Sequence, residues 1–446
     1  MVDGVQRNIT FSLVDYLSQP ALMILAAPVL LRRLGIEQYG AWMYVNTIIA
    51  LTYGLGAGFA DAATRYVSLY RGRGDRKGVA RSLAAALVIN CLLGFLLVVV
   101  LEISAPALID HSLKVQQLSR NQLIVAVRIG GVVLWFRLVE VVVIAAVRAF
   151  ERYAPAVMVS VLIRASIILC SVVLAVRGFG LVAIMLGTLV ITAISLLGQM
   201  SVASRIVGYS RVSMHELLAT LKEIAHFGGY TWLRSVTGTV FGYGDRLIVA
   251  ALLGAGSLAY YSLCNQVTQP IPAAAAAAFN FLFPTISSRM AAGRTREAKS
   301  IYDRAVAFNS AIVIVLFFLT LVIGGEALTV WLGRDVAERC RWLLVIMMAA
   351  NGLLALGVVP HYAALALGRS RALAMLSIIA GVLSVATGYV LTKDLGLIGS
   401  VFGKALAAIA SLATFAIARS AFHSSCEIDE CVVGPATVAD ELLPAK

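Results

Sequence analysis

Charged residues are scarce in this sequence: Asp, Glu, Lys and Arg together make up 13% of its 446 residues. Soluble domains carry about 25% charged residues, whereas hydrophobic residues reach 60% here. This composition excludes an ordinary soluble enzyme, a disordered chain and a scaffold held together by disulfides. The remaining class is a membrane protein with several transmembrane helices.

Motifs for nucleotide, metal or covalent chemistry are also missing from the sequence. It has no G-x-x-x-x-G-K-[ST] phosphate loop, no H-E-x-x-H pair and no G-x-S-x-G nucleophile motif. The five histidines are scattered, and three of the six cysteines lie inside apolar runs, where a thiol behaves as a small hydrophobic group. We therefore expect no cofactor, no metal site and no catalytic residue.

Twelve apolar runs, bounded by charged residues, glycine or proline, follow one another along the chain. A transmembrane helix needs about 20 apolar residues, and every run is long enough. The approximate limits are 8–31, 39–63, 82–108, 120–147, 154–176, 180–204, 224–253, 258–284, 305–332, 341–367, 372–392 and 396–422. The pattern predicts an all-α integral membrane protein with about twelve transmembrane helices.

Lys and Arg collect in alternate loops between these runs. The loops after even-numbered runs hold 18 of them, and the loops after odd-numbered runs hold 9. Because cytoplasmic loops carry the excess of Lys and Arg, both termini and the even-numbered loops are expected in the cytoplasm. The Lys and Arg behind the net charge of +13 thus reflect membrane topology and do not indicate a surface that binds nucleic acid.

The chain repeats itself at an offset of 219 residues. The matching pairs are Leu34-Gly35 with Leu253-Gly254, Asn46 with Asn265, Gly74 with Gly293, and Asn90 with Asn309. A six-helix unit duplicated in tandem keeps its orientation because six is even. Two six-helix lobes are therefore expected, related by a pseudo-twofold axis along the membrane normal. The expected domains are 1–215 and 216–423 for the lobes and 424–446 for an acidic cytoplasmic tail.

Several short motifs resemble those of a known family. The stretch 34–42, which reads Leu-Gly-Ile-Glu-Gln-Tyr-Gly-Ala-Trp, resembles the N-terminal signature of bacterial polysaccharide flippases of the O-antigen type. The stretch 54–65 resembles the end of their second helix. Residues 245–248 and 260–262 resemble the corner between their seventh and eighth helices. The resemblance covers essentially all twelve runs.

This resemblance implies the fold of the multidrug/oligosaccharidyl-lipid/polysaccharide exporter superfamily, in which two six-helix lobes face one another in a V. It implies a flippase, not an enzyme, that moves undecaprenyl-pyrophosphate-linked oligosaccharides across the bacterial inner membrane by alternating access. Such flippases serve cell-surface polysaccharide biosynthesis, including O-antigen and lipopolysaccharide. Polysaccharide polymerases are the implied partners. Because no ATP site is present, the energy is expected from a gradient of a coupling cation such as H⁺ or Na⁺, from the membrane potential, or from consumption of the product outside.

Nine ionisable residues lie well inside the predicted helices: Asp15, Arg128, Arg137, Glu140, Arg164, Arg234, Asp245, Arg246 and Lys404. If all faced lipid, the penalty at roughly 2.5–3.5 kcal/mol each would approach about 27 kcal/mol. That exceeds the roughly 5–15 kcal/mol net stability of a typical protein. Most must therefore pair with one another or face water. Since six of the nine are cationic, the interior is expected to suit a pyrophosphate headgroup.

The six cations are the expected substrate-binding residues, and Asp15, Asp245 and Glu140 are the candidates for gating or ion coupling. Other roles stay open for several of them. Arg128 and Lys404 lie near helix ends, where long side chains can snorkel. Arg137 and Glu140 are spaced i, i+3 and can form a structural ion pair. The cations are Arg164, Arg234, Arg246, Arg137, Arg128 and Lys404.

The repeat also suggests a contact between the lobes. The offset of 219 maps Asp15 onto Arg234, which places opposite charges at equivalent heights in the first and seventh helices. We expect the two to pair across the lobes in the outward-facing state and to separate when the protein opens inward. Pairing of each within its own lobe is the alternative.

Prolines are expected to interrupt three of the helices. Pro20 and Pro28 fall in the first run, Pro270 and its neighbours in the eighth, and Pro360 in the tenth. Such breaks survive in a bilayer only where the freed backbone groups find partners or water. The first and eighth helices are therefore candidates for bending elements that line a cavity.

Two other functions are compatible with parts of this pattern. A cation-coupled multidrug exporter of the same superfamily would favour acidic and aromatic residues in its cavity, which the excess of Arg opposes. An integral membrane glycosyltransferase or polymerase would need a large loop outside the membrane. The expected periplasmic connections here are around a dozen residues at most.

Overall fold

The computed structural model describes residues 2–113, 118–150, 153–207 and 213–433, and every regular element in these ranges is a helix. The prediction of an all-α protein is confirmed. The helices are α1 Val2–Gly72, α2 Arg76–Ser112, α3 Arg120–Ala149, α4 Tyr153–Val176, α5 Leu181–Val207, α6 Met214–Thr268, α7 Pro270–Phe279, α8 Leu282–Ala291, α9 Thr295–Leu332, α10 Arg334–Leu356, α11 Val358–Ala366, α12 Ser370–Leu395, α13 Leu397–Ser411 and α14 Ala413–Val433.

α1 and α6 are each two helices joined at a glycine corner. The 71 residues of α1 would extend about 107 Å at 1.5 Å per residue, far more than the roughly 30 Å of a bilayer core. The helical angles are interrupted at Gly35, with φ 78° and ψ 166°. The 55-residue α6 is interrupted in the same way at Gly254, with φ 86° and ψ −179°.

Ten stretches of the described chain are long and apolar enough to cross a membrane. Two of them, Ser18–Leu51 and Gly238–Ala291, run through the Gly35 and Gly254 corners, so each contributes to two spans. Counted in this way, the described residues hold the twelve spans that the hydrophobic runs predict.

The backbone preserves the internal repeat. Gly35 and Gly254 both have positive φ, and Gly74 and Gly293, which share the offset of 219, both have φ 69°. Residues other than glycine rarely adopt this conformation. The same turns therefore recur at the same positions of two six-helix lobes.

A capping box fixes the start of α6, where the second lobe begins. The backbone N–H of Glu216 donates to Ser213 Oγ over 3.3 Å, and the backbone N–H of Ser213 donates to Glu216 Oε2 over 3.1 Å. The hydrogen bond from the Ser213 backbone lowers the pKa of Glu216. This arrangement satisfies two backbone donors that a helix start otherwise leaves unpaired.

The predicted interruption of the first helix by proline is wrong, because α1 stays helical through Pro20 and Pro28. Pro28 has no N–H for the carbonyl of Ile24, four residues earlier. The indole Nε1 of Trp331, on α9, donates to that carbonyl over 2.8 Å. A side chain of the second lobe thus replaces the missing helical bond. A break is present at Pro270, which begins α7.

The largest hydrophobic core joins the two lobes beside the glycine corners. Tyr39 and Tyr44 of the first lobe and Leu258 and Tyr261 of the second are fully buried in it. Gln266 Nε2 donates to Tyr39 OH over 3.0 Å across this seam. A smaller core joins α1 and α2 to the start of α6 at the other end of the bundle.

Replacing Gly254 with Ala is expected to destabilise the protein by about 1–3 kcal/mol, because its φ and ψ lie in a region open almost only to glycine. Gly256→Ala is the matched control. An added Cβ there meets open space on a helical residue, so this variant is expected to be neutral or stabilising. Thermal unfolding in detergent compares the two variants. Equal midpoints would contradict the requirement for glycine at position 254.

Candidate functional site

A group of polar side chains lies inside the second lobe, where α6 and α13 meet. The Gly254 corner turns the chain back on itself. Asp245 lies nine residues before the corner and Tyr261 seven residues after it, so both sit roughly 10–14 Å from it along their helices. Lys404 reaches the same place from α13. We name as the α6–α13 cluster the residues Asp245, Arg246, Tyr261, Asn265, Gln269 and Lys404.

Asp245 is the only carboxylate among the six residues of this cluster. Its Oδ1 accepts a hydrogen bond of 2.8 Å from the backbone N–H of Arg246, and its Oδ2 accepts one from the Tyr261 hydroxyl. Lys404 Nζ lies 3.9 Å from Oδ2 and donates to Asn265 Oδ1 over 2.9 Å. The side chains of Asp245 and Lys404 are only 15% and 16% exposed.

The Arg246 guanidinium is held by neutral groups. Nη2 donates to Gln269 Oε1 over 3.1 Å, and the guanidinium carbon lies 5.0 Å from the centre of the Tyr243 ring, within the range of a cation–π contact. Its Nε is buried and has no hydrogen-bond partner among the described residues. Arg246 therefore keeps an unused donor inside the protein.

The charges of the cluster do not balance. Two opposite charges 4 Å apart attract by about 4 kcal/mol at an effective dielectric constant of 20, so Asp245 offsets much of the cost of burying Lys404. Within the six residues no second carboxylate does the same for Arg246. The cluster carries a net charge of +1 and is suited to accept an anion.

The first lobe has no charged residues at the equivalent positions of the repeat. At the offset of 219, the positions of Asp245 and Arg246 correspond to Ala26 and Ala27, both of which are buried. The matching pairs 180/396 and 187/403, offset by 216, place Thr188 at the position of Lys404. The same helices therefore pack in the first lobe with small or neutral side chains.

The cluster lies beside the seam between the lobes. Gln266 directly follows Asn265 and bonds to Tyr39 of the first lobe. On the same helical segment, Thr268 accepts a 2.9 Å hydrogen bond from Asn351 of α10. The helical segment that carries Asn265 is thus bonded both to the first lobe and to α10.

Glu140 belongs to a separate network in the first lobe. It forms the expected ion pair with Arg137, at 2.9 Å, and its side chain is 4% exposed. Ser195 Oγ donates to its Oε1 over 2.7 Å, and Gln199 Nε2 donates to the same oxygen. Three donors from α3 and α5 thus stabilise the ionised carboxylate.

Arg128 compensates for a proline on the neighbouring helix. Its Nε lies 3.0 Å from Glu102 Oε2, and both side chains are more than 40% exposed. Its Nη2 also donates to the Glu102 carbonyl over 3.4 Å. Pro106 lacks the N–H that would normally bond to this carbonyl. The contacts of Arg128 are therefore explained by local structure.

The remaining predicted residues, Arg164, Asp15 and Arg234, lie on α1 or α6 or contact α1. Arg164 Nη1 donates to Ser18 Oγ over 3.0 Å, which joins α4 to α1. The backbones of Asp15 and Arg234 lie in α1 and α6, but their side chains fall outside the described residues. Their pairing across the lobes stays a prediction.

The sequence alone did not reveal the partners of the predicted charges. Ser195 and Gln199 around Glu140, and Tyr261 and Gln269 in the α6–α13 cluster, come from distant or unremarkable polar positions. Asn265 stands out in the sequence only as part of the repeat, and Tyr261 only as part of the 260–262 motif. A signal was available in the comparison of the repeats, because Asp245 and Arg246 of the second lobe occupy positions where the first lobe has alanine.

An open surface groove of about 730 Å³ lies between α1 and α9, at the seam of the lobes. Its wall is mostly apolar, and two charged side chains, Arg32 and Glu326, reach it. The lining residues are Pro28, Arg32, Ile323, Glu326, Ala327, Val330 and Trp331.

Solved structures of transporters share this fold. The chain is similar to an inward-facing multidrug resistance MATE family transporter of the MOP superfamily, with a TM-score of 0.64 and 16% identity over 94% of this chain and 96% of that one. An outward-facing conformation gives a TM-score of 0.61 and 15% identity with the same coverage. A MOP superfamily transporter from Pyrococcus furiosus, for which reverse polarity of the binding pocket suggests a different function, gives 0.59 and 14% over 94% and 96%. The protein is thus a multi-pass membrane protein with the fold of MOP superfamily transporters.

A family model narrows this class. The model for polysaccharide biosynthesis proteins matches residues 5–290, well over half of the chain, so the chain belongs to the polysaccharide biosynthesis protein family. A protein of Shigella flexneri named "Putative O-antigen transporter" is 25% identical over 187 residues. The match covers 42% of this chain and 44% of the Shigella protein, less than half of either. The family expected from the sequence motifs is confirmed.

Removing one member of the Arg137–Glu140 pair should destabilise the protein by about 3–5 kcal/mol, because the other charge stays buried without its partner. Arg137→Met and Glu140→Met are therefore each expected to cost more than the double replacement. Unfolding in detergent measures this double-mutant cycle. Additive effects of the two single replacements would contradict the coupling.

Proposed function

We propose that this protein is a flippase that moves a polyprenyl-pyrophosphate-linked oligosaccharide across the bacterial inner membrane by alternating access. The product would serve the synthesis of a cell-surface polysaccharide such as O-antigen. One observation carries the proposal: the α6–α13 cluster holds two cations against one carboxylate beside the seam of a transporter fold. Membership of the polysaccharide biosynthesis family supports the choice of substrate class.

Arg246 and Lys404 are the proposed ligands of the pyrophosphate. Arg246 has an unpartnered buried Nε, and a guanidinium can bind phosphate oxygens through two parallel N–H groups. Lys404 adds a compact second charge. We assign Arg137 and Arg164 to the path of the headgroup through the first lobe. Arg234 and Arg128 complete the predicted cationic set, with Arg128 held by Glu102.

The lipid tail would remain in the bilayer beside the protein. The mostly apolar groove between α1 and α9 lies at the seam of the lobes and offers a place for part of a polyprenyl chain. Apolar burial favours such binding by about 25 cal/mol per Å² of surface. The headgroup and tail would thus follow different routes, one polar and one apolar.

The two lobes would move as units of residues 1–215 and 216–423, with 424–446 as a cytoplasmic tail. The bias of Lys and Arg supports cytoplasmic termini. Asp15, Asp245 and Glu140 are the proposed groups for gating or coupling to H⁺ or Na⁺. Among the two whose side chains are described, Asp245 has the looser cationic partner, at 3.9 Å against 2.9 Å for Glu140. A polysaccharide polymerase is the proposed partner that consumes the product.

A multidrug exporter is the second candidate, since the similar solved structures include multidrug transporters. Cationic drugs would meet the net positive charge of the α6–α13 cluster, which disfavours them. A glycosyltransferase or polymerase is a third candidate. The connections between described helices are short, which leaves little room for a catalytic domain outside the membrane.

Arg246→Gln and Lys404→Gln are each expected to slow flipping by about 10- to 100-fold, as the loss of a charge-assisted hydrogen bond of about 1.5–3 kcal/mol predicts. The assay follows a fluorescent lipid-linked oligosaccharide in liposomes that contain the purified protein. Arg120→Gln is the control, because Arg120 pairs with Asp110 in an exposed position. The same vesicles are scored for new glycosidic bonds and for efflux of a cationic dye.

Three results would contradict the proposal. Flipping unchanged in both cluster variants would remove the cluster from the mechanism. Dye efflux without lipid flipping would favour the multidrug exporter. New glycosidic bonds would favour an enzyme.

A charge-swap experiment tests the proposed contact between Asp15 and Arg234. Asp15→Arg and Arg234→Asp alone are expected to slow flipping, because each places like charges opposite one another. The double swap is expected to recover much of the rate. Wild-type flipping in both single variants and in the double variant would contradict the contact.

A further inference from the structure

We propose that Asp245 is a built-in competitor for the anionic headgroup: it attracts Lys404, and a bound pyrophosphate must draw Lys404 away from it. The competition would weaken binding enough to permit release on the far side of the membrane. This inference rests on the proposed function and assigns to Asp245 a specific part in it.

The first support is the loose hold of Asp245 on Lys404. The distance of 3.9 Å between Oδ2 and Nζ is longer than a hydrogen bond. The Lys404 ammonium has three N–H donors, and among the described residues it donates one hydrogen bond, to the neutral Asn265. An incoming phosphate would therefore form its first hydrogen bonds with Lys404 before the attraction between Lys404 and the carboxylate is overcome.

The second support is that Asp245 itself is fixed in place. Both of its oxygens accept hydrogen bonds from other groups, namely the Arg246 backbone N–H and the Tyr261 hydroxyl. Lys404, by contrast, has a flexible four-carbon stem. When the two separate, Lys404 is the partner that can move while the carboxylate keeps its hydrogen bonds. Asp245 would then regain Lys404 after the headgroup leaves.

The third support is the position of the carboxylate in the repeat. Ala26 occupies the equivalent place in the first lobe and is 5% exposed. The first lobe thus accommodates a small neutral residue at this position of the repeat. A competitor makes sense for a carrier, because a site that binds an ion must also let it leave.

The test uses the full-length protein in lipid nanodiscs, with farnesyl pyrophosphate as the probe in titration calorimetry. Asp245→Asn keeps the size of the side chain, and Asp245→Ala introduces the residue that Ala26 provides in the first lobe. Both are expected to bind the probe at least about tenfold more tightly, because the competing charge is gone. Both are also expected to flip lipid-linked oligosaccharide more slowly at saturating substrate. Asp110→Asn, which removes an exposed carboxylate, should change neither value.

Affinity that is unchanged or weaker in variants with normal thermal unfolding would overturn the inference. Loss of the fold in both variants would also overturn it, because Asp245 would then be a structural residue. Failure of the inference is distinguishable from failure of the proposed function. If the wild-type protein binds the probe and flips lipid, only the role of Asp245 is in question. If the wild-type protein does neither, the flippase proposal itself fails.

Discussion

A charge inside the hydrocarbon region must be compensated by an opposite charge, by hydrogen bonds or by water, and this constraint explains the pattern of the intramembrane residues. Arg128 is paired with Glu102 and also serves a carbonyl freed by proline. Glu140 is surrounded by three donors. At Arg246 the compensation is incomplete, since one donor is unused and its described contacts are to neutral groups. The site proposed for the substrate is thus the place where a charged side chain keeps a donor for a ligand.

Gene duplication supplies a comparison within one chain. The corners at Gly35 and Gly254 have nearly the same backbone angles, so the two lobes share a framework. Where the second lobe has Asp245 and Arg246, the first has two alanines. A shared framework with unequal charge supports the proposal that the second lobe provides more of the headgroup site, and Gln266 bonds the neighbouring segment to the first lobe.

The sequence was sufficient for the architecture but not for the contacts. Hydrophobic runs reveal spans because every buried backbone group must be satisfied within a helix, and repeated glycines reveal the corners. The continuity of α1 through Pro28 could not be foreseen, because it depends on Trp331, some 300 residues away. The same holds for Glu140, whose Ser195 and Gln199 partners lie on another helix. The i, i+3 spacing along one helix predicts only the ion pair between Glu140 and Arg137.

The position of the bound headgroup is the most direct test of the proposed role of Arg246 and Lys404. Cryo-electron microscopy of the protein in nanodiscs with farnesyl pyrophosphate measures it directly. The account predicts phosphate density within hydrogen-bond distance of Arg246 Nε and Lys404 Nζ, beside the seam of the lobes. Headgroup density elsewhere, with Arg246 still bonded to Gln269 and Lys404 still bonded to Asn265, would contradict it.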